Sequence, residues 1–330
     1  MAGLNLVIAG VSTRHDGGAR IIARMHRTLF HLPLAWLACA AAMAATLDVR
    51  PAPDQCGEAP AARSAPAAAA ARIPDSQAVA GSRNIAWAWL GSPTSRYPHD
   101  ALGSSVHAAS LHAIVLQPDG SQRALALELP PHRVFEDRVP RLADLDGDGR
   151  DEIILVESDA RLGSSLVVYG LRLGAAARQP VLAQLARSPF IGTANRWLNP
   201  VGVADFDGDG RPDIAAVTTP HVGGVLTLYR FQPPVLEIGA QLPGLSNHRM
   251  ATAQQQLAAV VHAPGQRPAV LVTGSDLRTL HALRIDRGGN WKDQAPAVLL
   301  AAPLQRIAAA GAGACARLTN ATSQQLKLLD

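Results

Sequence analysis

From residue 83 onward the chain alternates short apolar runs with breaks of Gly, Pro, Asp and Ser. Ile85-Ala86-Trp87-Ala88-Trp89-Leu90, Ile153-Ile154-Leu155-Val156 and Ile214-Ala215-Ala216-Val217 are such runs. Their length and β-branched content predict strands, and the stretch after Arg249 is the one candidate for an amphipathic helix. One strand recurs: Leu111-His112-Ala113-Ile114-Val115-Leu116, Leu166-Val167-Val168-Tyr169-Gly170-Leu171, Leu226-Thr227-Leu228-Tyr229-Arg230-Phe231 and Leu280-His281-Ala282-Leu283-Arg284-Ile285, with a fifth copy at Leu326-Lys327-Leu328-Leu329. The starting positions 111, 166, 226, 280 and 326 are separated by 55, 60, 54 and 46 residues. A unit of that length holds four short strands, the size of one propeller blade. The pattern predicts an all-β fold, a β-propeller of about five four-stranded blades.

Two of the breaks are near-copies of one acidic loop. The first reads Ala143-Asp144-Leu145-Asp146-Gly147-Asp148-Gly149-Arg150-Asp151-Glu152 and the second Ala204-Asp205-Phe206-Asp207-Gly208-Asp209-Gly210-Arg211-Pro212-Asp213. Carboxylates at every second position repel one another unless a hard cation gathers their oxygens, and calcium takes six to eight such ligands. The expected ligands are the side chains of Asp144, Asp146, Asp148 and Glu152, with the Arg150 carbonyl. In the second loop they are Asp205, Asp207, Asp209 and Asp213, with the Arg211 carbonyl, so about two calcium ions are expected. Gly149 and Gly210 supply the positive φ that the reversal needs. An EF-hand is excluded, because the twelfth positions are Leu155 and Ala216 and the flanks are strand-like. In the next repeat Arg267-Pro268-Ala269 aligns with Arg211-Pro212-Asp213, but Val261, Ala263 and Gly265 stand at the ligand positions. The first repeat shows no acidic loop, and an insertion from Gly91 to Ser110, holding Tyr97, His99 and His107, is read in its place.

Composition changes the picture mainly at the N-terminus. Residues 1–45 read as an extension and a secretory signal peptide. Arg20, Arg24 and Arg27 precede an apolar stretch from Leu29 to Ala42, with Ala42-Met43-Ala44 as the cleavage candidate and Met25 as an alternative start. The expected location is secreted or periplasmic, with lipoprotein anchoring through Cys39 the minor alternative and no membrane span after cleavage. Residues 46–82, rich in Pro and Ala, read as a linker or arm, and residues 83–330 as the propeller. The whole chain carries a formal charge of +4. Without residues 1–44 it has 26 basic and 25 acidic residues and no basic run, which gives no support for nucleic acid. Cys56 and Cys315, near opposite ends of the mature chain, are a disulfide candidate in an oxidising compartment.

The string Asp-x-Asp-Gly-Asp-Gly-x-x-Asp/Glu between two strands resembles the FG-GAP/VCBS-type repeats, which form the β-propeller of integrin α subunits and of many secreted bacterial proteins. The resemblance is most specific over residues 135–231 and extends less closely over 83–134 and 232–285. It implies calcium between the first two strands of a blade and surfaces that recognise protein or glycan. Family propellers often have seven blades, which about 285 mature residues cannot supply. Either the ring is smaller, or strands come from another segment or a partner.

No G-x-S-x-G elbow, Walker loop, C-x-x-C or dinucleotide glycine pattern is present, nor a histidine spacing that would hold zinc. The reading is therefore a calcium-stabilised binding or scaffold module for protein or glycan, with no catalytic residue assigned. The alternative is an extracytoplasmic polysaccharide hydrolase or lyase with its site at the channel mouth, where His99, Asp100, His107 and Arg196 are polar loop residues. Trp197 and Trp291 are the candidates for stacking a ligand. Trp87 and Trp89 read as packing between blades, and His112 and His281, at equivalent repeat positions, as structural.

Overall fold

The computed structural model describes residues 45–52, 63–174 and 179–329. The signal-peptide segment, Cys39 and Cys56 lie outside the described residues. Strand β1 (Thr46–Pro51) is followed by a 3-10 turn at Ala67–Ala71 and then by β2 (Val79–Ala80), β3 (Ile85–Thr94), β4 (His107–Leu116) and β5 (Gln122–Glu128). These last four form an antiparallel meander. The second meander opens with β6 (Arg133–Phe135) and β7 (Arg141–Ala143), which both pair with β8 (Glu152–Asp159). It continues through β9 (Gly163–Leu173) and β10 (Pro180–Arg187).

The third meander is β11 (Leu198–Ala204), β12 (Asp213–Thr218), β13 (Val225–Gln232) and β14 (Val235–Pro243). In the fourth, β15 (Leu245–Ser246) and β16 (Ala258–Val261) pair with β17 (Ala269–Gly274). That strand pairs with β18 (Thr279–Ile285), which carries β19 (Trp291–Asp293) and β20 (Val298–Leu299). The last comprises β21 (Leu304–Ala310), β22 (Gly313–Leu318) and β23 (Ser323–Leu329), and β1 completes it by pairing antiparallel with β23. Among the described residues the strands thus fall into five consecutive meanders of four to six strands, with no α-helix. The stretch after Arg249 is a turn and an irregular connection. No helix among the described residues is long and apolar enough to cross a membrane.

The five recurring strands in the sequence are the third strands of these meanders: β4, β9, β13, β18 and β23. The second strands read as continuous apolar runs because both of their faces are buried. Ile153 and Leu155 of β8 enter a core shared with the first meander, whereas Ile154 and Val156 enter one shared with the third. Likewise, Ile214 and Ala216 of β12 face the second meander, and Ala215 and Val217 the fourth. Another core joins the fourth meander to the fifth, including Leu47 of β1. Each fully buried Leu or Ile contributes about 1.5–3 kcal/mol. Among the described residues no such core joins the fifth meander to the first.

Residues 46–82, which composition assigns to a linker or arm, are built into this assembly wherever they are described. β1 closes a sheet, Ala69 and Ile73 are buried, and β2 pairs with β3. A six-residue strand and a two-residue strand inside a Pro/Ala-rich span carry too little periodicity to stand out. The first strands line one cavity of about 930 Å³, to which Ala80, Leu142, Val203, Ala259 and Ala308 contribute from β2, β7, β11, β16 and β21.

Candidate metal centre

Each acidic loop joins the first two strands of its meander, β7 to β8 and β11 to β12. The two copies fold alike. Asp144 Oδ1 accepts from Gly147 N at 2.8 Å and its Oδ2 from Gly149 N at 3.0 Å. Asp205 accepts from Gly208 N at 2.7 Å and from Gly210 N at 3.0 Å. The first aspartate thus staples the reversal. Gly147, Gly149, Gly208 and Gly210 take φ of 77°, 83°, 78° and 89°, the left-handed region that a β-carbon disfavours. Strands flank both loops, as the exclusion of an EF-hand requires.

Carboxylate oxygens of Asp144, Asp146 and Glu152 lie within 4.8 Å of one another, as do those of Asp205, Asp207 and Asp213. Asp148 and Asp209 are not in these groups. Each turns an oxygen to the amide two residues on, Arg150 N and Arg211 N, at 2.8 Å. Arg150 and Arg211 are exposed.

Glu152 and Asp213 project inward from the start of β8 and β12 and are buried. Burial foremost, then the charges of Asp146, Asp148 and Asp144, pushes the Glu152 carboxyl up to about 7 against a hydrogen bond from Leu145 N. Burial and the Asp207 charge push Asp213 up to about 7, with Arg230 opposing. Asp213 Oδ2 is buried without a hydrogen-bond partner. A buried carboxylate oxygen without a hydrogen bond, on a residue grouped with two other carboxylates and with Arg230 turned to Asp207, fits a hard cation.

Three arginines that sequence reasoning missed also reach these loops. Arg83 Nη1 lies 3.0 Å from Asp144 Oδ2 and 3.2 Å from Asp151 Oδ1. It sits in the short turn between β2 and β3, at the place in the first meander where the next two carry acidic loops. The insertion read there joins β3 to β4 instead, at the other end of the strands. Arg230, paired with Asp213 across β12 and β13, donates from Nε and Nη2 to Asp207 Oδ2 at 3.1 and 2.8 Å. The Arg267 guanidinium lies 2.8–3.2 Å from where a Cβ on Gly208 would stand. No local pattern marks Arg83, whose partners are more than sixty residues away. Arg230 falls on the recurring strand, where only its departure from Gly170 of the preceding repeat could have flagged it.

At the opposite ends of the strands lies a second polar group. His99 Nδ1 is 2.5 Å from Oε1 of the fully buried Glu136, whose other oxygen accepts from Ser158. Burial alone would lower the His99 imidazole, but Glu136 outweighs it and holds the ring above its ordinary value. His107 Nε2 donates to the His99 carbonyl at 2.8 Å, while its Nδ1 is buried without a partner. His248 Nε2 lies 2.9 Å from the Thr252 carbonyl, so it carries the proton, and Nδ1 accepts from His221 Nε2 at 2.8 Å. Burial pushes His221 down to about 4 and His248 down to about 3.

The tryptophans proposed for stacking are not available for it. Trp197 is 2% exposed, packs against His221 and His248, and donates Nε1–H to the Glu136 carbonyl at 2.8 Å. Trp291 is 5% exposed and packs edge-on against Phe206 in the core between the third and fourth meanders. Both belong to the apolar interior, which their polar flanks in sequence disguise. Trp89 stacks on His112 of the adjacent strand, and Trp87 lies beneath Arg63. His281 contacts Asp293 within its own meander. Cys315 forms a disulfide, and its candidate partner Cys56 lies outside the described residues.

Comparison with curated proteins gave no match. The model of the FG-GAP-like repeat family matches residues 144–216, which run from the first acidic loop to the strand after the second, so this segment carries an FG-GAP-type repeat.

Proposed function

We propose that this protein is a secreted or periplasmic β-propeller, stabilised by two calcium ions, that serves as a binding or scaffold module for protein or glycan. The observation that carries the metal is the convergence of Asp144, Asp146 and Glu152, repeated by Asp205, Asp207 and Asp213, with the partnerless Asp213 Oδ2 among them. Asp148, Asp209 and the carbonyls of Arg150 and Arg211 complete the two ligand sets by small rotations of exposed loop groups. Support for the ring comes from the first strands of five meanders lining one cavity and from the cores between consecutive meanders. The Cys315 disulfide supports an oxidising compartment. Calcium here neutralises like charges in a strand connection and stabilises the folded state by mass action. Thermal unfolding in calcium and in EDTA tests the metal: an unchanged midpoint removes it. An array of immobilised glycans and extracellular proteins tests the module.

A second reading, a polysaccharide hydrolase or lyase, is favoured by one observation. His99, backed by the buried carboxylate of Glu136, sits with His221 at the strand ends opposite the acidic loops. A carboxylate behind an imidazole is an arrangement suited to proton transfer. Release of reducing ends from a glycan panel, lost in His99→Ala, supports it, and no release refutes it.

A further inference from the structure

The cavity ringed by the five first strands is polar on one side in a specific way. Arg63, Arg83 and Arg141 line it, against two acidic lining residues, Asp144 and Asp151. Both acids are held by a single nitrogen, Arg83 Nη1. Arg141 uses only Nη1, bonded to the buried Asp137 at 2.7 Å and to the Val139 carbonyl at 2.8 Å. Among the described residues Arg63 pairs with no carboxylate. It reaches the Gly81 and Ala86 carbonyls at 3.5 and 3.3 Å and lies 5.1 Å over the Trp87 ring. Nε of each arginine, and Nη2 of Arg83 and Arg141, have no partner among the described residues. The rest of the wall is apolar, with Leu142, Val203, Val260 and Ile307.

We propose that this cavity binds a small organic carboxylate through Arg63, Arg83 and Arg141, and that calcium in the first acidic loop strengthens the binding. Guanidinium forks with unused N–H groups match a carboxylate's two oxygens, and the cavity volume of about 930 Å³ leaves ample room for a uronic acid. Three guanidinium groups line the cavity against two lining carboxylates, with the buried Asp137 behind Arg141 as the third. The second part rests on the calcium reading of the loop. An ion that draws the Asp144 oxygens to itself takes one carboxylate off Arg83 and cancels one of the two negative charges at the cavity wall. Arg83 then offers its fork to the ligand, kept in place by Asp151.

Isothermal titration of the full chain with glucuronate, and with glucose as its neutral match, tests this at a fixed free calcium concentration in cell and syringe. Calcium alone is titrated first. Glucuronate should bind at least tenfold more tightly than glucose, and the comparison needs no variant. Arg63→Gln should weaken glucuronate roughly tenfold, the loss of one charge-assisted hydrogen bond, and leave glucose unchanged. Replacing calcium by EDTA should weaken glucuronate several-fold. Equal binding of the two sugars, or no glucuronate binding, overturns the site. Glucuronate binding that is the same with and without bound calcium overturns the coupling alone. If calcium gives neither heat nor a shift of the unfolding midpoint, the coupling falls together with the calcium reading, and the sugar comparison still decides the arginine site.

Discussion

At one end of the strands Glu152 and Asp213 are buried among other carboxylates and pushed up to about 7, while at the other His221 and His248 are buried against each other and pushed down to about 4 and 3. Both ends hold ionisable groups where water cannot stabilise charge. They differ in how the polar atoms are satisfied. The histidine end meets most of its polar atoms with protein partners, from His221 to His248 to the Thr252 carbonyl and from Trp197 to Glu136, and leaves His107 Nδ1 unpartnered. The acidic end leaves Asp213 Oδ2 without a partner and draws arginines from neighbouring segments onto Asp144 and Asp207. One end therefore sets imidazoles against protein acceptors, and the other gathers carboxylates whose charge a cation would offset.

Chelation separates the two most strongly. Two sites, each at a hundred times its dissociation constant, contribute about 5 kcal/mol, so EDTA should lower the unfolding midpoint by on the order of 10 °C. The near-ultraviolet signal of Trp197 at the histidine end should stay unchanged below the transition. Second in size is Trp197→Phe, which removes the donor to the Glu136 carbonyl at the closed end. It should cost about 1–3 kcal/mol in urea unfolding, equally with calcium and with EDTA. A cost that changes with calcium would mean the ends are coupled.

Acid should act on the ends with opposite signs. Unfolded histidines take up a proton near 6.5 and the folded His221 and His248 only near 4 and 3, so stability is lost as pH falls below 6.5. The slope is about 1.4 kcal/mol per pH unit for each histidine. In metal-free protein Glu152 and Asp213 bind protons near 7 when folded and only near 4 when unfolded, so they add stability as pH falls from 7 towards 4.5. Midpoints measured from pH 7 to 5 should therefore fall more steeply in calcium than in EDTA. The smallest effect compares two loops at one end. Gly149→Ala and Gly265→Ala both place a Cβ in open space at φ of 83° and 73°, each costing about 1 kcal/mol of backbone strain. Only the first should also weaken calcium binding.

What could be read from the sequence was whatever repeats or alternates locally. The strand beginning at Leu166 recurs because every meander carries a third strand with a buried apolar row, and the acidic loops stand out because their carboxylates are two residues apart. Arg83 escaped notice because its partners, Asp144 and Asp151, are brought to it only by the stacking of one meander on the next. The Gly91–Ser110 segment joins β3 to β4, whereas the sequence pattern reads it in place of an acidic loop before the first repeat's strand, since β2 is two residues long and leaves no periodic trace before β3. Trp197 and Trp291 sit beside polar residues along the chain but beside His221, His248 and Phe206 in space. Burial of that kind is a long-range property, and neighbours in sequence do not report it.

The pairing of β1 with β23 sets a timetable for folding. Residues 46–51 are among the first of the described chain to be synthesised, yet their partners, residues 324–329, are among the last. The first four meanders can collapse in order as they emerge, each on local contacts, but the fifth cannot gain its outer strand until β23 has been made. Closing so long a loop is slow relative to hairpin formation, so this step should be the last to form and the first to open. Loss of Leu47 from the core it shares with Leu326 and Leu328 would leave β23 as an open edge. Two segments, residues 46–51 and 324–329, thus decide together, and late, whether the fifth meander is finished.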